Sequence, residues 1–253
     1  MRKLQSRWLG TDRVDRADHA VRAGQRVAGR RVDPGGTDPG RGVHPGGGVR
    51  PGITIVERQR STSNHMSVFD TIRNRRSIYE FKQEPVPREV IARVLETAVW
   101  APNHKLTEPW RFLVVTGKTK ETLANIYCRI QREKTKSDDS GILRKATEKG
   151  YAKIMSKPVI IGVVCKKDTD AFRAREDYAA TCCAIHNITL SAWEKGIGMQ
   201  WSTGGLIRDP ETLELLKIDA REEEIVGFLY TGYPAQVPAQ KRVPAAERTE
   251  WFA

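Results

Sequence analysis

Long hydrophobic runs are absent from the sequence, because no apolar stretch approaches the ~18 residues that a membrane-spanning helix needs. The N-terminus also lacks the apolar core of a secretory signal. Cysteine is scarce, and Cys128, Cys165, Cys182 and Cys183 form no Cys-x-x-Cys pair, which excludes the usual zinc site and a disulfide framework. Reduced thiols and no membrane partner predict a cytoplasmic protein. With few histidines and no H-E-x-x-H motif, no metal site is predicted.

Residues 1–65 differ in composition from the rest of the chain. They are rich in Arg, Gly and Pro and poor in large apolar residues, which predicts a disordered extension. This arm carries over half of the chain's net charge of +12. One alternative function is therefore nucleic-acid binding through the arm, although the mildly basic remainder argues against a nucleic-acid partner. Because Met66 directly precedes the first patterned helix, a second hypothesis is that residues 1–65 are not native.

Residues 66–253 are predicted to form one α+β domain, because apolar strands alternate with amphipathic helices. The Trp110–Val115 strand reads as buried. The Lys134–Ser140 linker is either a lid over a site or part of a plain helical hairpin, and the hairpin is favoured. The predicted helices begin at Ser67 and Pro87 and cover 118–135, 139–155, 171–195 and 209–217. The predicted strands cover 110–115, 158–165 and 224–230, and the segment 198–205 is predicted to be a short strand that runs into a Gly turn.

The segment 171–195 is apolar around most of its circumference, which predicts a central helix buried on all sides, in part at a subunit interface. His186 lies on this helix and is interpreted as a core residue. Gly196 is the expected C-cap.

Polar and charged residues concentrate in four segments that lie far apart in the chain. Two of them are basic and could converge on one phosphate group, because Arg offers a bidentate fork and Ser a hydroxyl. A Ser-Thr-Gly turn adds hydroxyls and backbone N–H groups, and the neighbouring Trp could stack on an aromatic ring. The pattern favours a phosphorylated, planar ligand. The four segments are Arg75-Arg76-Ser77, His104–Glu108, Trp201-Ser202-Thr203-Gly204 and Lys241-Arg242.

No other catalytic motif is present. The sequence contains no G-x-S-x-G, and the Gly196-Ile197-Gly198 triplet follows a helix, so it is not a Rossmann fingerprint. We nominate no side chain as an obligatory catalytic acid, base or nucleophile.

The order of these motifs resembles the FMN-dependent nitroreductase family, in its compact bacterial NAD(P)H nitroreductase form. An Arg-Arg-Ser start is followed by Ala-Pro-x-His-Lys-x-x-x-Pro-Trp-x-Phe at 101–112 and by Gly-x-x-Trp-Ser-Thr-Gly at 198–204. The resemblance covers about residues 67–245. It implies a central, mostly antiparallel sheet flanked by helices and an intertwined homodimer. Two FMN sites would lie at the dimer interface, and the tail after Pro234 would wrap around the partner subunit.

The resemblance also implies a role for particular residues. The basic clusters would contact the phosphate or the ribityl chain, and Ser77 would bind near the phosphate or the pyrimidine edge. The 104–108 loop would reach the flavin from the other subunit, and the Trp-Ser-Thr turn would lie along the isoalloxazine or the ribityl chain. The sequence departs from the family at Tyr79, where many members have a basic residue, and at Glu108, where close relatives often have Gln. The implied FMN-binding set is Arg75, Arg76, Ser77, Tyr79, His104, Glu108, Trp201, Ser202, Thr203, Lys241 and Arg242.

The activity that the resemblance implies is two-electron transfer from NAD(P)H through FMN to a small acceptor, a nitroaromatic or a quinone, by ping-pong kinetics. The alternative on the same fold is other flavin chemistry of the flavin-destructase, dehalogenase or peptide-oxidase type, since a fold does not fix a reaction.

Overall fold

The computed structural model describes residues 66–252, so the predictions on residues 1–65 lie outside the described residues. Within the described range the chain forms strands that are separated from one another by one or two helices, as the periodicity predicts. The helices are α1 (Val68–Asn74), α2 (Arg88–Glu96), α3 (Gly117–Lys134), α4 (Ser140–Met155), α5 (Ala171–Glu194) and α6 (Pro210–Leu215), and the strands are β1 (Trp110–Val115), β2 (Val159–Lys166), β3 (Gly198–Ser202) and β4 (Glu223–Gly232).

The four strands form one sheet in the order β1-β2-β4-β3, and every neighbouring pair is antiparallel. Helices cover both faces. One core packs α2 and α5 against one face of the sheet, and a second core packs α3, α4 and α6 against the other. The predicted α+β class with a mostly antiparallel sheet flanked by helices is confirmed.

The central strands β2 and β4 are buried along almost their whole length, because both faces of the sheet are covered by helices. The prediction that Trp110–Val115 is also a buried strand is wrong. This strand, β1, lies at the edge of the sheet and is mostly half-buried, and the side chain of Val114 is 48% exposed. An apolar run alone does not distinguish a central strand from an edge strand.

Capping side chains fix where several helices begin. Ser67 accepts a hydrogen bond from the Asp70 N–H at the start of α1, while Asp139 and Asp170 cap α4 and α5 in the same way. Pro87 is the N-cap of α2 and precedes its first turn. Helices α3 and α4 pack against each other as a helical hairpin; the lid interpretation of the linker stays a prediction.

Helix α5 is buried on one side only within the single chain. Ala184, Ile185 and Ile188 face the sheet, whereas Phe172 and Cys183 are exposed. The prediction that α5 is buried on all sides is therefore wrong for one chain. The interpretation of His186 as a core residue is also wrong, because His186 lies on the exposed side. The composition of α5 correctly indicated an apolar helix. It did not indicate which side of that helix is buried by the rest of the same chain.

A close backbone approach fixes the segment after α1. Ser77 forms a parallel bridge with Met199 of β3, and the Ile78 N–H donates to the Met199 carbonyl at 3.0 Å. Gly198 makes this contact possible, because a Cβ atom there would lie 2.3 Å from Cγ1 of Ile78. The segment that follows α1 is thereby held beside β3. Across residues 66–252, no helix combines the length and apolar content needed to cross a bilayer.

Candidate functional site

Two of the predicted basic clusters meet at the end of α1. Arg75 is the C-cap of α1, and burial first, then the charges of Arg242 and Arg76, lower the pKa of its guanidinium. Arg242 comes from the C-terminal tail, so residues 167 positions apart in the sequence share one electrostatic environment. Arg75 and Arg242 are thus close enough to interact, while their convergence on one phosphate stays a prediction.

The environment of Arg75 fits an anionic group. Its Nε atom is buried and has no hydrogen-bond partner among the described residues. A buried, unpaired donor is costly, and two guanidinium groups that approach each other repel. A phosphate oxygen would satisfy the donor and offset both positive charges. These residues therefore fit the phosphate of FMN, the cofactor that the sequence resemblance implies.

The neighbours of Arg75 are placed differently. Arg76 donates from Nη1 to the carbonyls of Arg73 and Arg75, and so caps the end of α1. Ser77 is half-buried beside β3, next to Arg75. Tyr79 is 59% exposed, and its carbonyl accepts from the Lys157 ammonium at 2.9 Å. Lys241 is exposed in the tail.

The 104–108 loop is anchored to the N-terminal half of α5. His104 Nδ1 lies 2.8 Å from Glu176 Oε2, and the Thr107 hydroxyl donates to the buried Asp177 carboxylate at 2.6 Å. Glu108 has a φ of 43°, and its N–H donates to the Asn103 side chain. Positive φ is uncommon for Glu and indicates a constrained loop.

The two halves of the predicted site lie far apart within one chain. The loop contacts α5 at Glu176, whereas Arg75 lies near His186, whose pKa is lowered by burial and then by the charge of Arg75. Ten residues separate these two points of α5, which corresponds to about 15 Å along the helix axis. A single chain therefore does not bring the 104–108 loop and Arg75 together.

The Trp-Ser-Thr turn divides its side chains between the two faces of the sheet, because successive strand residues point in opposite directions. Trp201 lies on the α5 face, where its Nε1 donates to the Val226 carbonyl at 3.3 Å. A Cβ at Gly227 would lie 2.2 Å from that nitrogen, so the indole lies across a glycine of β4. Ser202 points to the α3–α4 face, and Thr203 is exposed beyond the strand.

Ser202 lines a polar cavity that sequence reasoning missed. The cavity has a volume of about 170 Å³ and contains the side chains of Tyr127, Lys153 and Tyr230. These residues come from α3, α4 and β4, so no local motif joins them. Their only sequence signal is a polar residue on the apolar face of a helix or strand.

Comparisons with known proteins agree with this fold. A sequence profile of the nitroreductase family matches residues 72–233. A relative from Bacillus subtilis named "Putative NAD(P)H nitroreductase YfhC" is 38% identical over 187 residues, covering 73% of this chain and 93% of the relative. A nitroreductase-like family protein from Bacillus cereus superimposes with a TM-score of 0.66 at 30% identity, covering 76% of this chain and 99% of that one.

A nitroreductase from Bacteroides fragilis, solved with bound FMN, superimposes with a TM-score of 0.56 at 25% identity, over 74% of this chain and all (100%) of that one. The family profile spans the stretch from α1 to the end of β4, which contains every predicted site residue except the basic pair of the tail. The resemblance drawn from the motifs is confirmed, and the chain belongs to the nitroreductase family.

Proposed function

We propose that this chain is an FMN-dependent NAD(P)H oxidoreductase that reduces small nitroaromatic or quinone-type acceptors. The observation that carries the proposal is the buried, unpaired Nε of Arg75 beside the charge of Arg242, at the position where the family motif begins. The electron-transfer chemistry would come from bound FMN, which can accept a hydride from a reduced nicotinamide and pass two electrons on.

The protein's part in this reaction is to bind, orient and shield the cofactor. Arg75 and Arg242 would hold the phosphate, with Ser77 as an additional hydroxyl donor. Trp201, 40% exposed on the α5 face, offers an aromatic wall that limits access of water. We assign no general acid or base.

We also propose that the working form is a homodimer in which each site takes residues from both chains. The support is the distance of about 15 Å along α5 between the loop and Arg75, together with the exposed side of α5. A two-fold axis along that side would place the loop of one chain against the Arg75 region of the other. The C-terminal residues Trp251 and Phe252 are 90% and 92% exposed, and we propose that they pack on the partner subunit.

We propose a cytoplasmic location. Four free thiols, two of them buried, suit a reducing compartment, and a reduced nicotinamide dinucleotide as electron donor is a metabolite of the same compartment.

The test is the visible absorption spectrum of the purified protein and of its heat-released supernatant, followed by anaerobic addition of NADPH or NADH. We expect flavin bands near ~370 and ~450 nm that bleach rapidly on addition of the dinucleotide. Reoxidation by a nitroaromatic or a quinone would complete the cycle.

Each outcome separates the proposal from an alternative. Flavin bands that neither dinucleotide bleaches would favour the other flavin chemistries of this fold. A colourless protein that does not take up added FMN would contradict the proposal altogether. Salt-sensitive binding of nucleic acid that disappears on removal of residues 1–65 would then support the alternative function of the arm.

A further inference from the structure

The cavity of about 170 Å³ on the α3–α4 face is lined by donors of hydrogen bonds and by no carboxylate. Its wall is formed by the ends of α3 and α4, the start of the turn after β3, and two residues of β4. The lining residues are Tyr127, Gln131, Lys134, Lys153, Ser202, Gly204, Gly205, Leu206, Phe228 and Tyr230. A cavity with two ammonium groups, three hydroxyls and no acid among its lining residues suits an anion.

Contacts between neighbouring side chains orient one ammonium and three hydroxyl groups around the cavity. The Lys153 ammonium donates to the Tyr127 hydroxyl at 2.8 Å and lies 5.1 Å from its ring centroid. Because Tyr127 accepts this bond, its own O–H proton remains available for a ligand. Tyr230 is only 2% exposed, and its phenol group, whose pKa is raised by burial, has Ser202 as a hydrogen-bonding neighbour.

The positive charge in this region is not neutralised from within the cavity. Lys134 places its ammonium 3.3 Å from the position of a Cβ on Gly205, and no described residue forms a hydrogen bond or an ion pair with it. Beside the cavity, the ammonium of the buried Lys157 lies 5.8 Å from the Tyr230 ring. Burial first, then the charge of Lys153, lowers the pKa of Lys157, and Glu80 opposes this effect.

The cavity adjoins a larger one at the turn after β3. Lys134, Gly204 and Gly205 line both. The larger cavity, of about 610 Å³, also contains Thr203, Arg208 and one carboxylate, that of Glu224. A volume of several hundred Å³ is typical of a small-ligand site. A ligand that lies in the larger cavity could therefore extend a charged group past Lys134 into the smaller one.

We propose that the smaller cavity is a phosphate-binding subsite, with Lys134, Lys153 and Tyr127 as its principal donors. A phosphate offers acceptors in several directions, which matches donors that come from a helix pair, a strand and a turn. Two sources share this chemistry: the ribose 2′-phosphate that distinguishes NADPH from NADH, and free inorganic phosphate. Only the dinucleotide source rests on the proposed function.

The first arm of the test is steady-state kinetics of the FMN-loaded dimer with NADPH and with NADH. For the double variant Lys153→Met with Tyr127→Phe, a 2′-phosphate in the cavity predicts a KM for NADPH raised at least about tenfold, since charge-assisted hydrogen bonds are lost. The KM for NADH should stay unchanged. Tyr127→Phe alone keeps the ammonium and should give a smaller increase.

The matched control is Lys145→Met, which removes the same charge from α4 about two helical turns before Lys153. Lys145 is exposed and does not line the cavity, so both KM values should stay at the wild-type level. Circular dichroism and FMN content establish that each variant folds and binds its cofactor.

The second arm is calorimetric titration of the same proteins with inorganic phosphate at low ionic strength. Saturable binding to the wild type and to Lys145→Met, lost in the double variant, with no change in the NADPH KM, would assign the cavity to free phosphate. The proposal is overturned if wild-type protein binds no phosphate and the double variant leaves the NADPH-to-NADH ratio of KM unchanged. If neither dinucleotide reduces the flavin, the proposed function fails, and the titration alone decides on the subsite.

Discussion

Arg75 is the residue whose surroundings depend most on an anion. We expect Arg75→Ala to weaken FMN binding about 10- to 100-fold, from the ~1.5–3 kcal/mol of a hydrogen bond to a charged group. The measurement is FMN affinity by fluorescence titration of the apoprotein. Arg73→Ala is the control, because Arg73 lies on the same helix and contacts the Phe69 ring instead. Full FMN occupancy in Arg75→Ala would show that the phosphate is bound elsewhere.

Cys165 gives the folded state a pH dependence in the alkaline range. Burial raises the pKa of its thiol to about 11, from the ordinary value of 9.0. Below pH 9 the thiol is protonated in both states, and this contribution to stability is fully present. Between pH 9 and 11 the unfolded chain ionises first, so about 1–3 kcal/mol of stability is lost.

The check is urea unfolding of the wild type and of Cys165→Ala at intervals from pH 8 to 11. The variant is less stable throughout because it loses buried volume, but its stability should decline less steeply with pH. Cys183→Ala, on the exposed side of α5, serves as the comparison. Parallel curves for wild type and Cys165→Ala would rule out this assignment.

At the scale of elements, one arginine joins α3 to α6. Arg129 of α3 contacts Glu133, Glu211 and the carboxylate of Asp209, which is only 8% exposed and also caps α6. Arg129→Met leaves the Asp209 carboxylate buried without its cation, so we expect a lower melting temperature with unchanged FMN affinity. Asp209→Asn keeps a capping oxygen and removes the charge.

A double-mutant cycle tests this pairing. In the Asp209→Asn background, Arg129→Met should cost clearly less stability than in the wild type, because no buried carboxylate is left unpaired. Equal costs in the two backgrounds would mean that Arg129 stabilises the α3–α6 contact through packing of its side chain alone.

At the scale of the whole molecule, the exposed aromatic residues of the C-terminal tail indicate association with a second copy of the chain. We expect the protein to sediment as a dimer, and the double change Trp251→Ser with Phe252→Ser to shift it towards monomer. The melting temperature of this variant should then depend less steeply on protein concentration than that of the wild type, because a smaller fraction of it is associated. Ile142→Ser, which removes an exposed side chain of α4, is the control. An unchanged dimer in the tail variant would exclude the tail from the interface.

Much of this architecture could be predicted from periodicity and capping residues. The β1 bounds coincide with the predicted Trp110–Val115, and Ser67 caps α1 as expected. The solvent exposure of individual side chains could not be predicted. An apolar pattern indicates a surface that is buried in the working protein, but it does not show whether the same chain or a second chain buries it. For this reason the prediction for His186 was wrong.

Site residues could be predicted where they belong to a short sequence motif. They could not be predicted where the fold brings together residues from separate helices and strands. The basic cluster at Arg75 was identified from charge and from the family motif, which left Lys241 and Arg242 as alternatives for its partner in the tail. The alternation along β3 that turns Ser202 away from Trp201 follows from strand geometry, yet the cavity it lines depends on Tyr127 and Lys153, brought there by the α3–α4 hairpin.

The distance along α5 between the 104–108 loop and Arg75 has a genetic consequence. If each site combines the loop of one chain with the arginine of the other, a chain carrying His104→Ala and a chain carrying Arg75→Ala are each defective alone. In a mixed dimer, one site collects both substitutions and the other is intact. If the two mutant chains are present in equal amounts and pair at random, half of the dimers are mixed, so about a quarter of all sites are intact. Two impaired alleles in one cell would then complement each other.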